Sequence, residues 1–120
     1  MPGRILIVDD EPSIVTSLEF LMERQGYAVR VARDGQEAIE AAAAFAPDLV
    51  LLDVMLPLRS GFEVCRALRA GPLGPTVKIV LLTARGRASE IEQGLALGAD
   101  AYITKPCSTA DLLARVRALL

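Results

Sequence analysis

Short runs of β-favouring apolar residues alternate five times with segments of helical periodicity along this 120-residue chain. The runs are apolar at consecutive positions, which is typical of parallel strands covered on both faces. The predicted strands span residues 4–8, 28–32, 48–52, 77–82 and 101–103. Repeated strand–helix alternation predicts a doubly wound α/β sheet with right-handed crossovers and helices on both faces.

Helix starts are marked by N-cap residues followed three positions later by an acid. The pairs are Asp34 with Glu37, Ser60 with Glu63, and Ser108 with Asp111. The length and the absence of a linker or repeat indicate one domain across residues 1–120.

Composition excludes several classes of function. The chain contains no histidine, which removes Ser-His-Asp and Cys-His catalysis, histidine metal sites and phosphohistidine donors. A net charge of −2 disfavours a direct nucleic-acid surface. Cys65 and Cys107 show no metal or disulfide spacing. No apolar run approaches the roughly 20 residues that cross a bilayer, and residues 1–4 show no secretory pattern, so a cytoplasmic protein without membrane contact is expected.

Polar residues cluster at the carboxyl ends of the predicted strands. Asp9 and Asp10 follow the first strand and Asp53 the third. Thr83 follows the fourth strand and Lys105 the fifth. Open α/β sheets bind ligands at this edge, so we expect these five side chains to lie close together.

The residue types at this edge favour phosphoryl chemistry. Close carboxylates repel one another unless a cation is present, and they are the hard oxygen ligands that suit Mg²⁺. Lys105 supplies a point charge and Thr83 a hydroxyl for phosphoryl oxygens. A carboxylate nucleophile, a divalent ion and a lysine suffice for phosphoryl transfer, with an aspartyl phosphate as product.

Four motifs resemble the receiver domain of two-component response regulators, in order and in separation. They are residues 5–12 (ILIVDDEP), 51–57 (LLDVMLP), 82–84 (LTA) and 105–106 (KP). The resemblance covers essentially the whole chain. It implies the CheY-like fold, with a five-stranded parallel sheet in the order 2-1-3-4-5, and a phosphorelay function.

The resemblance also implies a role for each matching position. Asp53 is the expected phosphoacceptor. Asp10 and Asp53 would bind Mg²⁺ directly, Asp9 through water, and Met55 through its backbone carbonyl. Thr83 and Lys105 would contact the phosphoryl group.

Three further positions carry expected roles in switching and hydrolysis. Tyr102 matches an aromatic residue that turns inward when Thr83 moves. Met55 and Arg85 match positions that tune hydrolysis of the phosphoryl group. Both of these side chains are bulky, which predicts slow self-dephosphorylation.

A sensor histidine kinase is the expected phosphoryl donor, and an output domain or downstream protein the expected target. The resemblance implies that phosphorylation changes the face of the fourth helix, fifth strand and fifth helix, and that this face forms a phosphorylation-dependent homodimer. Ala101 stands where DNA-binding relatives usually carry an acid. The remaining candidates for cross-subunit pairs are Asp100, Asp111, Arg115 and Arg117. The C-terminal residues resemble the point where a linker to an output domain usually begins, which favours a domain that is one module of a longer regulator.

Three other classes compete with this interpretation. A degenerate receiver would act only through protein contacts, against which the intact acid, Thr and Lys set argues. A dehalogenase-like phosphatase would need a second acid at Met55 and a cap insertion. A nucleotide or flavin binder would need a glycine-rich phosphate loop, which the chain lacks. We therefore expect a signalling domain with only self-catalysed phosphoryl chemistry, not an enzyme.

Overall fold

The computed structural model describes residues 3–58, 60–83, 88–104 and 108–120. Strands and helices alternate through these residues. The strands are β1 (Arg4–Val8), β2 (Ala28–Ala32), β3 (Leu49–Asp53), β4 (Lys78–Thr83) and β5 (Ala101–Thr104). The helices are α1 (Pro12–Arg24), α2 (Gly35–Phe45), α3 (Gly61–Ala70), α4 (Ala88–Ala96) and α5 (Thr109–Leu119).

The strands form one parallel sheet in the order β2-β1-β3-β4-β5, which confirms the predicted doubly wound α/β fold. The last three strands end one residue later than the sequence pattern predicts. Asp53 pairs with Leu82, and Thr83 with Thr104, so both polar residues are the last members of their strands. The ladder extends past the apolar run because the Val54 amide donates a further bond, of 3.2 Å, to the Leu82 carbonyl.

The central strands β1, β3 and β4 are buried almost throughout, as their continuous apolar runs predict. The expectation of burial on both faces is wrong for the edge strands. Ala28 and Arg30 of β2 are exposed while Val29 and Val31 are half-buried, and β5 is only partly buried. An outer strand has a neighbour on one side alone, so the helices do not cover it fully.

Two apolar layers enclose the sheet. One layer joins Leu6, Leu52 and Leu81 to α2 and α3, and the other joins Ile7 and Leu51 to α1 and α5. Cys65 of α3 lies fully inside the first layer. Burial raises the pKa of its thiol above the usual value, opposed by the weaker effect of the Arg69 guanidinium. Cys65 is therefore a packing residue in its neutral form.

The three predicted helix caps are confirmed. Asp34 accepts a hydrogen bond of 2.7 Å from the Glu37 amide. Ser60 accepts one of 3.2 Å from the Glu63 amide. Ser108 caps α5 in the same way, through the Asp111 amide at 3.0 Å. Each cap satisfies an amide that the helix itself leaves without a partner.

Arg69 ties the end of α3 to two loops that lie far apart in sequence. Its guanidinium donates to the carbonyls of Gly98 (2.7 Å), Gly74 (2.8 Å) and Val77, and pairs with the Asp100 carboxylate at 2.6 Å. The same Asp100 oxygen accepts the Ile79 amide at 2.8 Å. Asp100, a candidate for cross-subunit pairing, thus has partners within its own chain.

Replacing Arg69 by Ala removes every bond of this cluster that the guanidinium makes. We expect Arg69→Ala to lower the free energy of unfolding by about 2–4 kcal/mol, because part-buried carbonyls and a carboxylate lose their charged donor. Urea unfolding followed by circular dichroism measures this change. The exposed Arg66 on the same helix is the matched control, and Arg66→Ala is expected to change the same quantity by less than about 0.5 kcal/mol. Equal effects of the two substitutions would contradict the assignment.

Among the described residues, no helix combines the length and apolar character that a bilayer crossing requires.

Candidate functional site

Three aspartates meet where β1 and β3 reach the carboxyl edge of the sheet. Asp9 and Asp10 follow β1 directly, and Asp53 ends β3. Because β1 and β3 are hydrogen-bonded neighbours, with Val8 opposite Leu52, their last residues arrive at the same point. Strand order therefore converts two distant sequence positions into one acidic cluster.

The carboxylates of Asp9, Asp10 and Asp53 each offer one oxygen within 4.8 Å of the others. Asp9 is 2% exposed and Asp53 is 7% exposed, whereas Asp10 faces solvent. Like charges at this separation repel, and burial of two of them weakens the screening by water. A cation among these oxygens would relieve the repulsion.

Backbone amides hold two of the carboxylates in position. The Glu11 amide donates to Asp9 Oδ1 at 3.0 Å, and the Met55 amide donates to Asp53 Oδ1 at 3.3 Å. The backbone under Asp9 is also fixed, since its own amide donates to the Ala32 carbonyl at 3.1 Å. Both acids accept amides two residues ahead, a local arrangement typical of Asp at a turn.

The donor set fits Mg²⁺. In an octahedron with Mg–O distances near 2.1 Å, adjacent ligands lie about 3 Å apart and opposite ones about 4 Å apart. Three carboxylate oxygens, one from each acid, lie within 4.8 Å of one another, so small shifts or one bridging water would meet these separations. All the donors are hard oxygens, as Mg²⁺ prefers, and neither sulfur nor imidazole is among them.

The acidic cluster opens into a depression of about 700 Å³. Its lining combines acidic, apolar and hydroxyl side chains: Asp10, Glu11, Ile14, Asp53, Val54, Met55, Leu56 and Ser60. Met55 is 54% exposed on its rim. Asp53 thus lines a depression that opens to solvent, and the exposed Met55 side chain is another of its lining residues.

Thr83 and Tyr102 lie on neighbouring strands and on the same face of the sheet. Leu81 pairs with Tyr102, and Thr83 pairs with Thr104, so alternation along the strands turns Thr83 and Tyr102 the same way. Thr83 is fully buried and Tyr102 is half-buried against the layer of α2 and α3. The Tyr102 ring also lies beside Gly94 of α4, where an added Cβ would be 3.2 Å from Tyr102 Cδ2.

The structure thus brings together Asp9, Asp10, Asp53 and Met55, and it places Thr83 and Tyr102 on the two strands beyond β3. Lys105 and Arg85 lie outside the described residues. The chemical roles expected for all eight positions stay predictions.

The sequence pattern missed Gly61, which lies against the backbone of Asp53. The only signal in the sequence was a glycine directly after the Ser60 N-cap. Glycine is unfavourable within a helix, so its presence at the first helical position suggests another requirement there.

The fold is a doubly wound α/β domain, and its candidate site is an acidic cluster at the carboxyl edge of the central strands. The model of the response regulator receiver domain matches residues 5–117. The chain therefore belongs to the response regulator receiver domain family, a family of two-component signalling proteins.

Sequence relatives agree with this assignment. The chain is 48% identical, over all 120 of its residues, to the response regulator MprA of Mycolicibacterium vanbaalenii, of which it covers 51%. It is 49% identical over the same length to the alkaline phosphatase synthesis transcriptional regulatory protein PhoP of Bacillus subtilis, of which it covers 49%. The chain thus spans about half the length of the curated relatives that it matches.

Solved structures agree as well. The chemotaxis response regulator CheY4 of Vibrio cholerae superposes with a TM-score of 0.94 at 30% identity, over 100% of both chains. The BeF3-activated N-terminal receiver domain of Klebsiella pneumoniae RstA gives a TM-score of 0.90 at 37% identity, over 97% of both chains. These matches confirm the CheY-like fold.

Proposed function

We propose that this domain accepts a phosphoryl group on Asp53 from a sensor histidine kinase and passes the signal to an output domain or partner. The observation that carries the proposal is the cluster of Asp9, Asp10 and Asp53 in an open depression, on a chain of the receiver family. Relatives about twice as long support an attached output domain. We place the domain in the cytoplasm, where response regulators typically act.

The proposed step is an in-line displacement at phosphorus. An oxygen of the Asp53 carboxylate forms the new P–O bond while the P–N bond of a phosphohistidine breaks, and the imidazole leaves with the electron pair. The Met55 amide, which donates to Asp53 Oδ1, would help to hold the carboxylate in position for attack. The domain would thus be substrate and self-catalyst at once, with positioning and charge neutralisation supplying most of the rate.

Asp10 and Asp53 would bind Mg²⁺ directly, Asp9 through water and Met55 through its backbone carbonyl. When bound, the ion neutralises the charge of the incoming phosphoryl group and of the acids around it. Lys105 would add a second positive charge, and the Thr83 hydroxyl a hydrogen bond to a phosphoryl oxygen.

The response is proposed to pass from Thr83 to Tyr102. A phosphoryl group adds negative charge and strong acceptors at Asp53, which would draw the Thr83 hydroxyl toward it. Movement of Thr83 would open space for Tyr102, which lies on the same face of the sheet and against α4. The populations of two states of the α4-β5-α5 face would then shift. The population of a homodimer formed through that face would change with them.

Intact-mass measurement after incubation with acetyl phosphate tests the proposal. We expect one phosphoryl adduct in the presence of Mg²⁺ and none in excess EDTA. A folded protein that gains no adduct under either condition would favour the competing function, an interaction module that uses the receiver fold without phosphorylation. Any direct contact with nucleic acid would, on this proposal, belong to an output domain.

Slow loss of the phosphoryl group is expected because bulky side chains shield it from water. The Met55 side chain, on the rim of the depression, and the Arg85 side chain are the proposed shields. We expect Met55→Asn to shorten the phosphorylated half-life several-fold, since a small amide can both admit and orient the attacking water. Arg85→Ala is expected to act in the same direction. Phosphate release from the purified phosphoprotein measures the half-life.

Leu58→Asn is the matched control for Met55→Asn. Leu58 lies in the same loop, is 78% exposed and has a positive φ of 68°, a conformation that Asn adopts readily. Leu58 does not line the depression. Its substitution should leave the half-life unchanged, and a half-life unaffected by both Met55→Asn and Arg85→Ala would refute the shielding role.

A further inference from the structure

Gly61, the first residue of α3, lies against the backbone of the proposed phosphoacceptor. A Cβ at this position would be 2.7 Å from the Val54 Cα and closer still to the carbonyl oxygen of Asp53. Real Cβ atoms do not approach backbone so closely, and backbone yields less easily than the end of a flexible side chain. Any side chain at Gly61 would therefore push α3 and the end of β3 apart.

Space, and not backbone conformation, requires the glycine. Residues with positive φ in the described chain do not include Gly61, so its conformation is open to any amino acid. A hydrogen bond reinforces the same contact, since the Gly61 amide donates to the Val54 carbonyl at 2.8 Å. Close approach and hydrogen bond together fasten the start of α3 to the two residues that end β3 and begin the next loop.

The contact between Gly61 and the Asp53–Val54 backbone closes the loop from β3 to α3, which carries much of the site. The loop leaves β3 at Val54, passes Met55 and Leu56 on the depression, and returns to α3 after the Ser60 cap. A second bond, from the Gly35 amide to the Pro57 carbonyl at 3.3 Å, ties the loop to the start of α2. A shift of the Gly61 contact would move Asp53 and Met55 relative to Asp9 and Asp10, which are held by β1.

We propose that Gly61 is a positioning residue for the acidic cluster, and that its close contact with the Asp53–Val54 backbone sets the alignment of the Asp53 carboxylate with the carboxylates after β1. The inference rests on the proposed function for its link to phosphorylation. Its link to cation binding depends on the cluster alone.

The experiment measures the Mg²⁺ dissociation constant of Gly61→Ala by calorimetry, after circular dichroism has established that the variant is folded. We expect the constant to rise about tenfold or more, as for other changes that misalign metal ligands without removing them. We also expect the rate of phosphorylation by acetyl phosphate to fall, and to recover in part at high Mg²⁺. A variant that is merely less stable would bind Mg²⁺ normally once folded.

Two other glycines provide matched controls at the far end of α3. An added Cβ at Gly74 would also collide with backbone, 2.7 Å from the carbonyl carbon of Arg69, whereas one at Gly71 would be at an ordinary 3.5 Å from the Ala67 oxygen. Gly74→Ala should therefore lose stability but keep the Mg²⁺ constant, and Gly71→Ala should change neither. A Mg²⁺ constant for Gly61→Ala equal to that of the wild type, or an equal rise in Gly74→Ala, would overturn the proposal.

If Gly61→Ala does not fold, hydrogen exchange in the wild type decides the question. Cation binding should slow exchange of the Gly61 amide with a midpoint at the Mg²⁺ dissociation constant, because its acceptor follows Asp53 directly. An amide unaffected by Mg²⁺ would overturn the proposal. Failure of the proposed function is distinguishable, since a wild-type protein that binds Mg²⁺ but gains no phosphoryl group would refute phosphorylation and leave the positioning test intact.

Discussion

Asp53→Asn is expected to abolish phosphoryl incorporation from acetyl phosphate in the presence of Mg²⁺. An amide oxygen is a very weak nucleophile, so the substitution removes the reacting group while keeping the size of the side chain. The hydrogen bond from the Met55 amide to Oδ1 can persist, because an Asn carbonyl oxygen also accepts. Intact mass should show the full adduct in the wild type and none in the variant.

Asp48→Asn is the control for this substitution. Asp48 immediately precedes β3, the strand that Asp53 ends, so the two carboxylates mark opposite ends of the same run. Asp48 Oδ2 accepts the Arg4 amide at 2.8 Å, far from the acidic cluster. Asp48→Asn should be phosphorylated as the wild type is. A full adduct on Asp53→Asn would show that another residue accepts the phosphoryl group.

Mg²⁺ is expected to stabilise the folded protein strongly, and Asp10→Asn to remove much of that effect. A ligand at about a hundred times its dissociation constant adds about 2.7 kcal/mol to the free energy of unfolding. Loss of a charged oxygen ligand should weaken binding about tenfold or more, which lowers this gain by about 1.4 kcal/mol at the same Mg²⁺ concentration. Urea unfolding with and without Mg²⁺ measures both quantities.

The same substitution should act in the opposite direction without the ion. In EDTA the carboxylates of Asp9, Asp10 and Asp53 repel one another at separations within 4.8 Å, and Asp10→Asn removes one of the charges. We therefore expect the variant to be more stable than the wild type in EDTA. Glu23→Gln, at the far end of α1, makes the same charge change and should show neither effect. A Mg²⁺ response of Asp10→Asn equal to that of the wild type would exclude Asp10 as a ligand.

These two predictions probe separate parts of the site. Asp53→Asn tests which side chain reacts, whereas the Mg²⁺ response tests whether the three acids form one cation site before any phosphoryl group arrives. A protein that binds Mg²⁺ through Asp10 but is not phosphorylated would retain the receiver fold and its metal chemistry without the signalling step. The Gly61 contact concerns a third property, the alignment between the two halves of the cluster.

The sequence by itself determined the fold and the membership of the cluster. Apolar runs identify β1, β3 and β4 because buried strands must be apolar on both faces, and the caps Asp34, Ser60 and Ser108 identify helix starts because each bonds an amide three residues away. These are local requirements, readable from neighbouring residues. The acids could be assigned to one place because parallel strands present all their carboxyl ends at a single edge.

Only the tertiary structure decided the contacts between segments distant in the chain. The Arg69 guanidinium reaches the Gly98 carbonyl and Asp100, and nothing near Arg69 in sequence predicts these partners. Gly61 must be small because α3 begins against the end of β3. The partial exposure of β2 follows from its place at the edge of the sheet. Space around a residue depends on how non-adjacent elements pack, and the local pattern of side chains carries no record of that packing.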